Sequence, residues 1–178
     1  MLNKFKIILG TAKIGSYMLL IAWLLFMAIL TYFFSNWLSN SVNPNSNARV
    51  VTSTSGEQII TLKVNRYNHY MVPGGVNGFN VNFLVDTGAT RVSVPGHIAK
   101  TIGLKPDKEI RVLTASGETN AYTTIIDSLV IAGIEFVNVK ATITPSDNSD
   151  NVLLGMSILK KFSFVQEKGV LILKLNQY

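Results

Sequence analysis

The sequence contains no cysteine and only two histidines. The absence of cysteine excludes disulfide bonds and thiolate metal sites, but it does not decide the compartment, because an exported domain with an adequate core needs no disulfide. His69 and His97 each lack a second histidine or a carboxylate at metal-ligand spacing, so both are expected to be surface residues. The sequence therefore predicts neither a metal site nor a cofactor.

Runs of like charge are also absent from the chain, whose net charge is +6 from 16 basic and 10 acidic residues. Three of the basic residues, Lys4, Lys6 and Lys13, precede a long apolar stretch, and the remaining sequence carries thirteen basic and ten acidic side chains. A mildly basic surface without a basic cluster does not indicate a nucleic-acid partner. The length of 178 residues leaves room for one folded domain of ordinary size.

No charged residue occurs between Lys13 and Arg49, and the first part of this interval is the apolar stretch. About 20 apolar residues suffice to cross a bilayer as a helix, so residues 14–38 are predicted to form a transmembrane helix. The lysines before it place residues 1–13 in the cytoplasm and the rest of the chain on the other side. A cleaved signal peptide is the alternative, but its apolar core normally spans only about 7–15 residues, and Ser39-Asn40-Ser41 is a poor cleavage site.

Residues 39–56 consist mainly of serine, asparagine and threonine, with a single proline and no apolar periodicity. This composition predicts a flexible linker rather than a folded element. A flexible coil of this length has a root-mean-square reach on the order of 25 Å. Such a tether would keep a domain near the membrane while still allowing two copies to meet.

Residues 57–178 show short β-favouring runs separated by turn residues, which is typical of an all-β domain. Val92–Pro95 is a predicted short strand, and it is followed by a short predicted helix that ends at Gly103. Hairpin turns are predicted at four places along the domain: Asn77-Gly78, Ser116-Gly117, Ala132-Gly133 and Glu167-Lys168-Gly169.

One stretch of this domain carries a candidate chemical group. Phe83-Leu84-Val85 predicts a buried strand, and it leads directly into Asp86-Thr87-Gly88. A carboxylate at the end of a buried strand is costly unless it is hydrogen-bonded or functional. The following glycine lets the backbone approach a neighbouring chain or ligand closely. Asp86 is therefore a candidate catalytic residue, and the alternative is an ordinary structural turn.

Several motifs occur in one order along the domain, and together they resemble the bacterial clan AA aspartic proteases of the retropepsin type, in the branch with an N-terminal membrane span. The resemblance covers Gln58 to Leu175. The motifs that carry it are Asn77-Gly78, Phe83 to Thr90, Ile102-Gly103-Leu104, Ser116-Gly117, and Leu153-Leu154-Gly155-Met156-Ser157.

The resemblance implies a fold and a set of site residues. The fold would be a small closed retropepsin-like β-barrel with one or two short helices, preceded by the single transmembrane helix. Asp86 would be the catalytic aspartate, supported by Thr87, Gly88 and Ala89. Ser116 and Gly117 would lie at the tip of a flap over bound peptide. Leu153, Leu154 and Gly155 would pack beside the catalytic loop and support it.

Aspartic-protease chemistry requires two carboxylates about 3 Å apart that share one proton. The chain contains a single Asp-Thr-Gly, because Asp127 lacks the glycine, and Asp147 and Asp150 lie in a polar loop. We therefore expect a homodimer in which Asp86 of each copy meets on a two-fold axis.

The predicted function is that of an aspartic endopeptidase anchored in the inner membrane, with its protease domain in the periplasm. The alternative is a membrane-tethered peptide-binding or assembly module on the same fold that lacks catalytic activity.

Overall fold

The computed structural model describes the backbone of residues 2–114 and 117–176, and the side-chain environment of the same residues except 2–14, 36, 39 and 40. The chain divides into two units, Met1–Ser41 and Val42–Tyr178.

The N-terminal unit is formed by one long helix, α1, which spans Leu2–Val42. Within it, Gly15–Ser35 has a mean hydropathy of 2.2 over a stretch without charged residues, and its side chains are exposed. A helix that is apolar on every face cannot bury one side against a soluble core and leave the other in water. By length and composition, this segment fits either a membrane anchor or a signal sequence.

The second unit is mostly β-structure with two short helices. The helices are α2 (Gly96–Ile102) and α3 (Met156–Leu159). The strands are β1 Val51–Thr52, β2 Gln58–Lys63, β3 Met71–Val76, β4 Phe79–Val85, β5 Val92–Pro95, β6 Glu109–Thr114, β7 Gly117–Ile131, β8 Ile134–Thr144, β9 Val152–Leu154, β10 Phe162–Glu167 and β11 Val170–Leu175.

These strands form two sheets that share one apolar core. The smaller sheet has the order β1-β2-β11-β10, and the larger has the order β3-β4-β9-β5-β8-β7-β6. Because β3 also pairs with β7, six strands of the larger sheet form a closed circuit of pairings. Buried core residues come from both sheets and include Ile60, Phe83, Leu154 and Leu173. The predicted mostly β architecture with short helices is therefore confirmed.

Local turn chemistry explains where several elements end. Asn77 and Gly78, between β3 and β4, have φ values of 49° and 83°, which is the pattern of a two-residue type I′ hairpin turn. Gly103 ends α2 in the left-handed conformation with φ of 78°. Hairpins also occur at the predicted turns after Ile131 and Glu167. Each of these turns contains a glycine at positive φ, which glycine adopts without strain, although the residue before it in the last two turns, Ala132 or Lys168, also has a φ of 49°.

Residues 43–52 differ from the flexible linker predicted over 39–56. Asn45 is only 5% exposed, and its side-chain amide bridges the end of β2 and the start of β3. Its Nδ2 donates to the carbonyl oxygens of Lys63 and Met71 at 2.8 and 2.9 Å, and its Oδ1 accepts from the Lys63 amide at 2.7 Å. Farther along, the Val50 amide donates to the Ala132 carbonyl at 2.8 Å.

The compact domain therefore begins before the predicted boundary at Glu57. The composition of this segment correctly indicated polar side chains, but it did not show that neighbouring strand ends offer them partners. An asparagine side chain carries the same donor and acceptor types as a peptide group, so it can complete a sheet edge as a strand would. The segment also continues into β1, where Thr52 pairs with Gln58.

Asn45→Ala is expected to lower the free energy of unfolding of the β domain by about 2–4 kcal/mol, because it leaves three backbone groups of Lys63 and Met71 without their partner. Urea denaturation of the full chain in detergent measures this loss. The control is Asn47→Ala in the same segment, where the side chain is exposed, and its effect should stay within about 0.5 kcal/mol. Equal stability of the two variants would show that the Asn45 bridge does not stabilise the domain.

Candidate active site

The loop after β4 places a carboxylate at the end of that strand, in which Phe83 is buried as predicted but Leu84 and Val85 are only half-buried. Asp86 is half-buried, and its backbone amide donates to the Leu154 carbonyl at 3.1 Å. The Gly88 amide donates to Asp86 Oδ1 at 2.8 Å, which fixes the carboxylate against its own loop. Thr87 and Gly88 lie exposed at the tip. In the part of the chain that the structure describes, Asp86 forms no ion pair, so its carboxylate is oriented by backbone groups alone.

Strand β9 and the turn after it hold this loop in place. β9 runs parallel to β4, with Val85 opposite Leu154. Beyond β9, the Met156 amide donates to the Ala89 carbonyl at 2.8 Å, and the Ser157 amide donates to the Thr90 carbonyl at 2.9 Å. Together with the bond from Asp86 to Leu154, these contacts fasten both ends of the Asp86 loop.

Gly155 makes this close approach possible. A Cβ atom at this position would lie 2.6 Å from the Ala89 carbonyl oxygen and would also collide with the Arg91 carbonyl oxygen. Both atoms belong to backbone that cannot rotate away, so a larger residue would displace the loop. The structure thus brings the predicted supporting residues Leu153, Leu154 and Gly155 beside the Asp86 loop.

Asp86 lines a cleft of about 1110 Å³, and a hairpin forms part of its wall. The hairpin is formed by β6 and β7, which pair from Glu109 opposite Tyr122 to Thr114 opposite Gly117. Gly117, predicted at the flap tip, lines the cleft with φ of 111°, whereas Ser116 lies outside the described residues. The hairpin is joined to the opposite rim of the cleft by Thr119, whose hydroxyl lies 2.8 Å from the Ser146 hydroxyl.

Three carboxylates line this cleft, but they are held differently. Glu118 lies on the hairpin with its Oε2 4.0 Å from the Arg111 guanidinium, and Asp147 lies on the rim in the loop after β8. Asp147 Oδ1 also accepts from a backbone amide, that of Ser149 at 2.8 Å, but Asp86 lies directly after β4 on a loop that backbone hydrogen bonds fasten to β9. A carboxylate oriented by a backbone amide can act as a general base or acid, and among the three in this cleft Asp86 is the one on the loop fastened to β9.

A second cleft of about 970 Å³ lies between residues 46–50 and the β3–β4 hairpin. Arg49, His97 and Asp150 line this cleft, and the side chains of all three are exposed. His97 lies at the surface, as predicted, and its Nε2 is 3.7 Å from Asp150 Oδ1. This cleft lacks a carboxylate that is fixed by backbone donors, so the cleft that contains Asp86 is the candidate active site.

The hydroxyl groups on the wall of the active-site cleft were not predicted from the sequence. Ser93 on β5 and Thr142 and Thr144 on β8 line this wall. The alternation of Thr142 and Thr144 around a buried Ile143 does indicate that they share one face of a strand. It does not show which face meets the cleft, because that depends on how the sheet closes.

Comparison with known proteins agrees with this geometry. Residues 72–161 match the family model described as "gag-polyprotein putative aspartyl protease". The crystal structure of a retropepsin-like aspartic protease from Rickettsia conorii superposes with a TM-score of 0.57 and is 33% identical, covering 71% of this chain and 96% of that chain.

Two curated relatives are described only as uncharacterized proteins. The first, from a Rickettsia prowazekii strain, is 38% identical over 109 residues, which are 59% of this chain and 46% of the relative. The second, from a Sinorhizobium species, is 30% identical over 122 residues, which are 67% of this chain and 52% of the relative. The chain thus spans about half the length of these curated relatives.

Proposed function

Because this chain belongs to the retropepsin-like aspartyl protease family, whose members are hydrolases, we propose that it is an aspartic endopeptidase completed by a second copy of itself. The observation that carries this proposal is the placement of Asp86. Its carboxylate lies on a loop fastened by β9 and lines a cleft large enough for a peptide, one wall of which is a hairpin.

The proposed reaction uses one ionised and one protonated carboxylate. The ionised group takes a proton from water, whose oxygen attacks the carbonyl carbon of the scissile peptide bond. The protonated group donates its proton to the carbonyl oxygen, which gives a neutral tetrahedral diol. Return of a proton from a diol hydroxyl to the carboxylates, together with protonation of the amide nitrogen, breaks the carbon–nitrogen bond and releases an acid and an amine.

The second carboxylate is proposed to be Asp86 of another copy. A two-fold axis brings identical residues together, so a symmetric dimer places Asp86 opposite Asp86. Two carboxylates at that separation share one proton because like charges so close cannot both ionise. Thr87, Gly88 and Ala89 would support the pair from each copy, and Gly117 with Ser116 would form the flap tip. That retropepsin-like proteases act as dimers on peptide substrates supports this arrangement.

We further propose that residues 14–38 anchor the enzyme as an uncleaved single-pass helix in the inner membrane. The uncharged segment Gly15–Ser35 and the three lysines before it support this orientation, with residues 1–13 in the cytoplasm and the protease domain in the periplasm. The closed circuit of six strands supports a small closed β-barrel for that domain. An active site placed in this way would meet proteins at or near the membrane.

The experiment that tests the function is incubation of the detergent-solubilised full chain with a mixed peptide library at acid to neutral pH. Mass spectrometry should show internal cleavage of the peptides, with new termini that accumulate over time. Peptides that are retained by the chain but never cut would instead support a catalytically silent binding module on the same fold.

A further inference from the structure

The wall of the active-site cleft is a row of side chains across three neighbouring strands. Ser93 on β5 stands opposite Leu153 on β9 and opposite Thr142 on β8. Cross-strand partners point to the same face of a sheet, and Thr144 shares that face with Thr142 because it lies two residues farther along β8. All four side chains line the cleft that contains Asp86. One end of this row is apolar, at Leu153, and the rest consists of hydroxyl groups.

The hydroxyl groups do not fully satisfy one another. Ser93 Oγ lies 2.9 Å from Thr144 Oγ1, and either atom can be the donor. This bond uses one of the two hydroxyl protons, and the other proton has no acceptor among the residues that the structure describes. Thr142 Oγ1 donates to the Val92 carbonyl at 3.3 Å, which leaves its lone pairs free to accept. The wall therefore offers one donor and several acceptor positions.

We propose that Ser93, Thr142 and Thr144 form a specificity subsite that selects substrates with a carboxamide side chain, asparagine or glutamine, next to the scissile bond. This inference rests on the proposed function. A carboxamide carries a carbonyl acceptor for the unused hydroxyl proton and an NH₂ group that donates to the threonine oxygens. A carboxamide therefore complements the wall both as an acceptor and as a donor of hydrogen bonds.

Other classes of side chain fit this wall less well. An apolar side chain would cover Thr142 and Thr144, each only 7% exposed, and would remove water from the remaining hydroxyl proton without replacing it. A carboxylate offers acceptors only and leaves the threonine oxygens without a donor. A lysine offers donors only, and the three side chains supply no charge to balance it. A hydroxyl group is also uncharged, but it has a single proton to donate, whereas a carboxamide places two donor protons and a carbonyl acceptor at one end.

The test compares cleavage-site preferences of the wild-type full chain with those of Ser93→Ala, Thr144→Val and the double variant on the same peptide library. At one position beside the cut, the wild type should favour Asn or Gln over the similarly sized Leu by about tenfold in kcat/KM. The double variant should lose this ratio or invert it. Thr144→Ser, which keeps the hydroxyl, should retain it.

A matched control separates selectivity from stability. Thr124 is also a buried threonine, and its hydroxyl donates to the Lys105 carbonyl at 2.8 Å, but it lies away from the Asp86 cleft. Thr124→Val should therefore leave the preference unchanged. A wild-type profile that favours apolar residues at every position, or a preference that the double variant keeps, would overturn the subsite.

A binding measurement distinguishes failure of the subsite from failure of the proposed function. The Asp86→Asn full chain is exposed to the same library, and the retained peptides are identified by mass spectrometry. Enrichment of Asn or Gln over Leu supports the subsite even if no peptide is ever cut, in which case only the proposed function fails. Cleavage by the wild type without such enrichment would contradict the proposed subsite and would support the proposed protease function.

Discussion

Replacing Asp86 with asparagine is expected to abolish peptide cleavage, lowering kcat/KM by roughly four orders of magnitude or more. The asparagine oxygen can still accept the hydrogen bond that Gly88 donates to Asp86 Oδ1, so the loop should keep its shape. The amide group cannot take a proton from water, and it cannot share a proton with a second carboxylate. The variant therefore removes the group that transfers protons and keeps the conformation of the loop that carries it.

Initial rates on a cleaved library peptide measure this loss, and urea denaturation measures the stability of the variant. The free energy of unfolding should stay within about 0.5 kcal/mol of the wild type, because Asp86 is half-buried and the substitution preserves its volume. The matched controls are Glu118→Gln and Asp147→Asn, the other two carboxylates that line the cleft. Both should keep activity within about tenfold of the wild type. Substantial cleavage by Asp86→Asn would remove Asp86 from the mechanism.

The second large effect concerns the number of copies in the active species. If each chain supplies one half of the carboxylate pair, a monomer has no activity, and the observed rate depends on the concentration of dimer. Below the dissociation constant of the dimer, the rate should fall with the square of the total chain concentration rather than in proportion to it. Dilution of the full chain at a fixed detergent concentration, with initial rates measured at each step, tests this dependence.

Two outcomes separate a dimer from a single active chain. A rate that stays proportional to concentration down to a range where sedimentation shows only monomer would contradict the dimer. A rate that falls steeply, and recovers when the chains are concentrated again, would support it. Recovery also excludes irreversible unfolding as the cause of the loss.

Local chemistry made several elements of this domain predictable. Asn77-Gly78 is a hairpin turn because both residues tolerate positive φ, and Gly103 ends α2 for the same reason. Asp86 was identifiable as a candidate because an apolar run that leads directly into a carboxylate and a glycine is an unusual sequence, costly if the carboxylate is buried without a partner. These signals lie within a few residues of one another, so each can be recognised without knowledge of the fold.

Contacts between distant parts of the chain were not predictable in this way. The Asn45 bridge joins residues that lie 18 and 26 positions away along the chain. The composition of residues 39–56 indicated only a polar linker. The pairing of Gly74 with Ile131 closes the circuit of strands, but neither sequence segment specifies the other. The hydroxyl wall at Ser93 and Thr144 depends on that closure, since the alternation in β8 assigns residues to a face but does not say what the face meets.

The supporting role of Leu153, Leu154 and Gly155 lies between these cases. Resemblance to a family suggested that they pack beside the Asp86 loop, whereas composition alone would have suggested only a short buried strand. The backbone bonds from Asp86 to Leu154 and from Met156 to Ala89 supply the physical reason for that proximity. The tight fit at Gly155 explains why a glycine stands at that position.

The most direct test of the central claim, that Asp86 acts only with Asp86 of a second copy, is the rate of cleavage by mixtures of wild-type and Asp86→Asn chains. The two chains are mixed at constant total concentration, above the dissociation constant, and allowed to exchange partners. If both carboxylates are needed, an equal mixture leaves about one quarter of the dimers active, and the rate should fall to about one quarter of the wild-type rate. A rate of about one half, in proportion to the amount of wild-type chain, would show that each copy cleaves peptides on its own and would contradict the account.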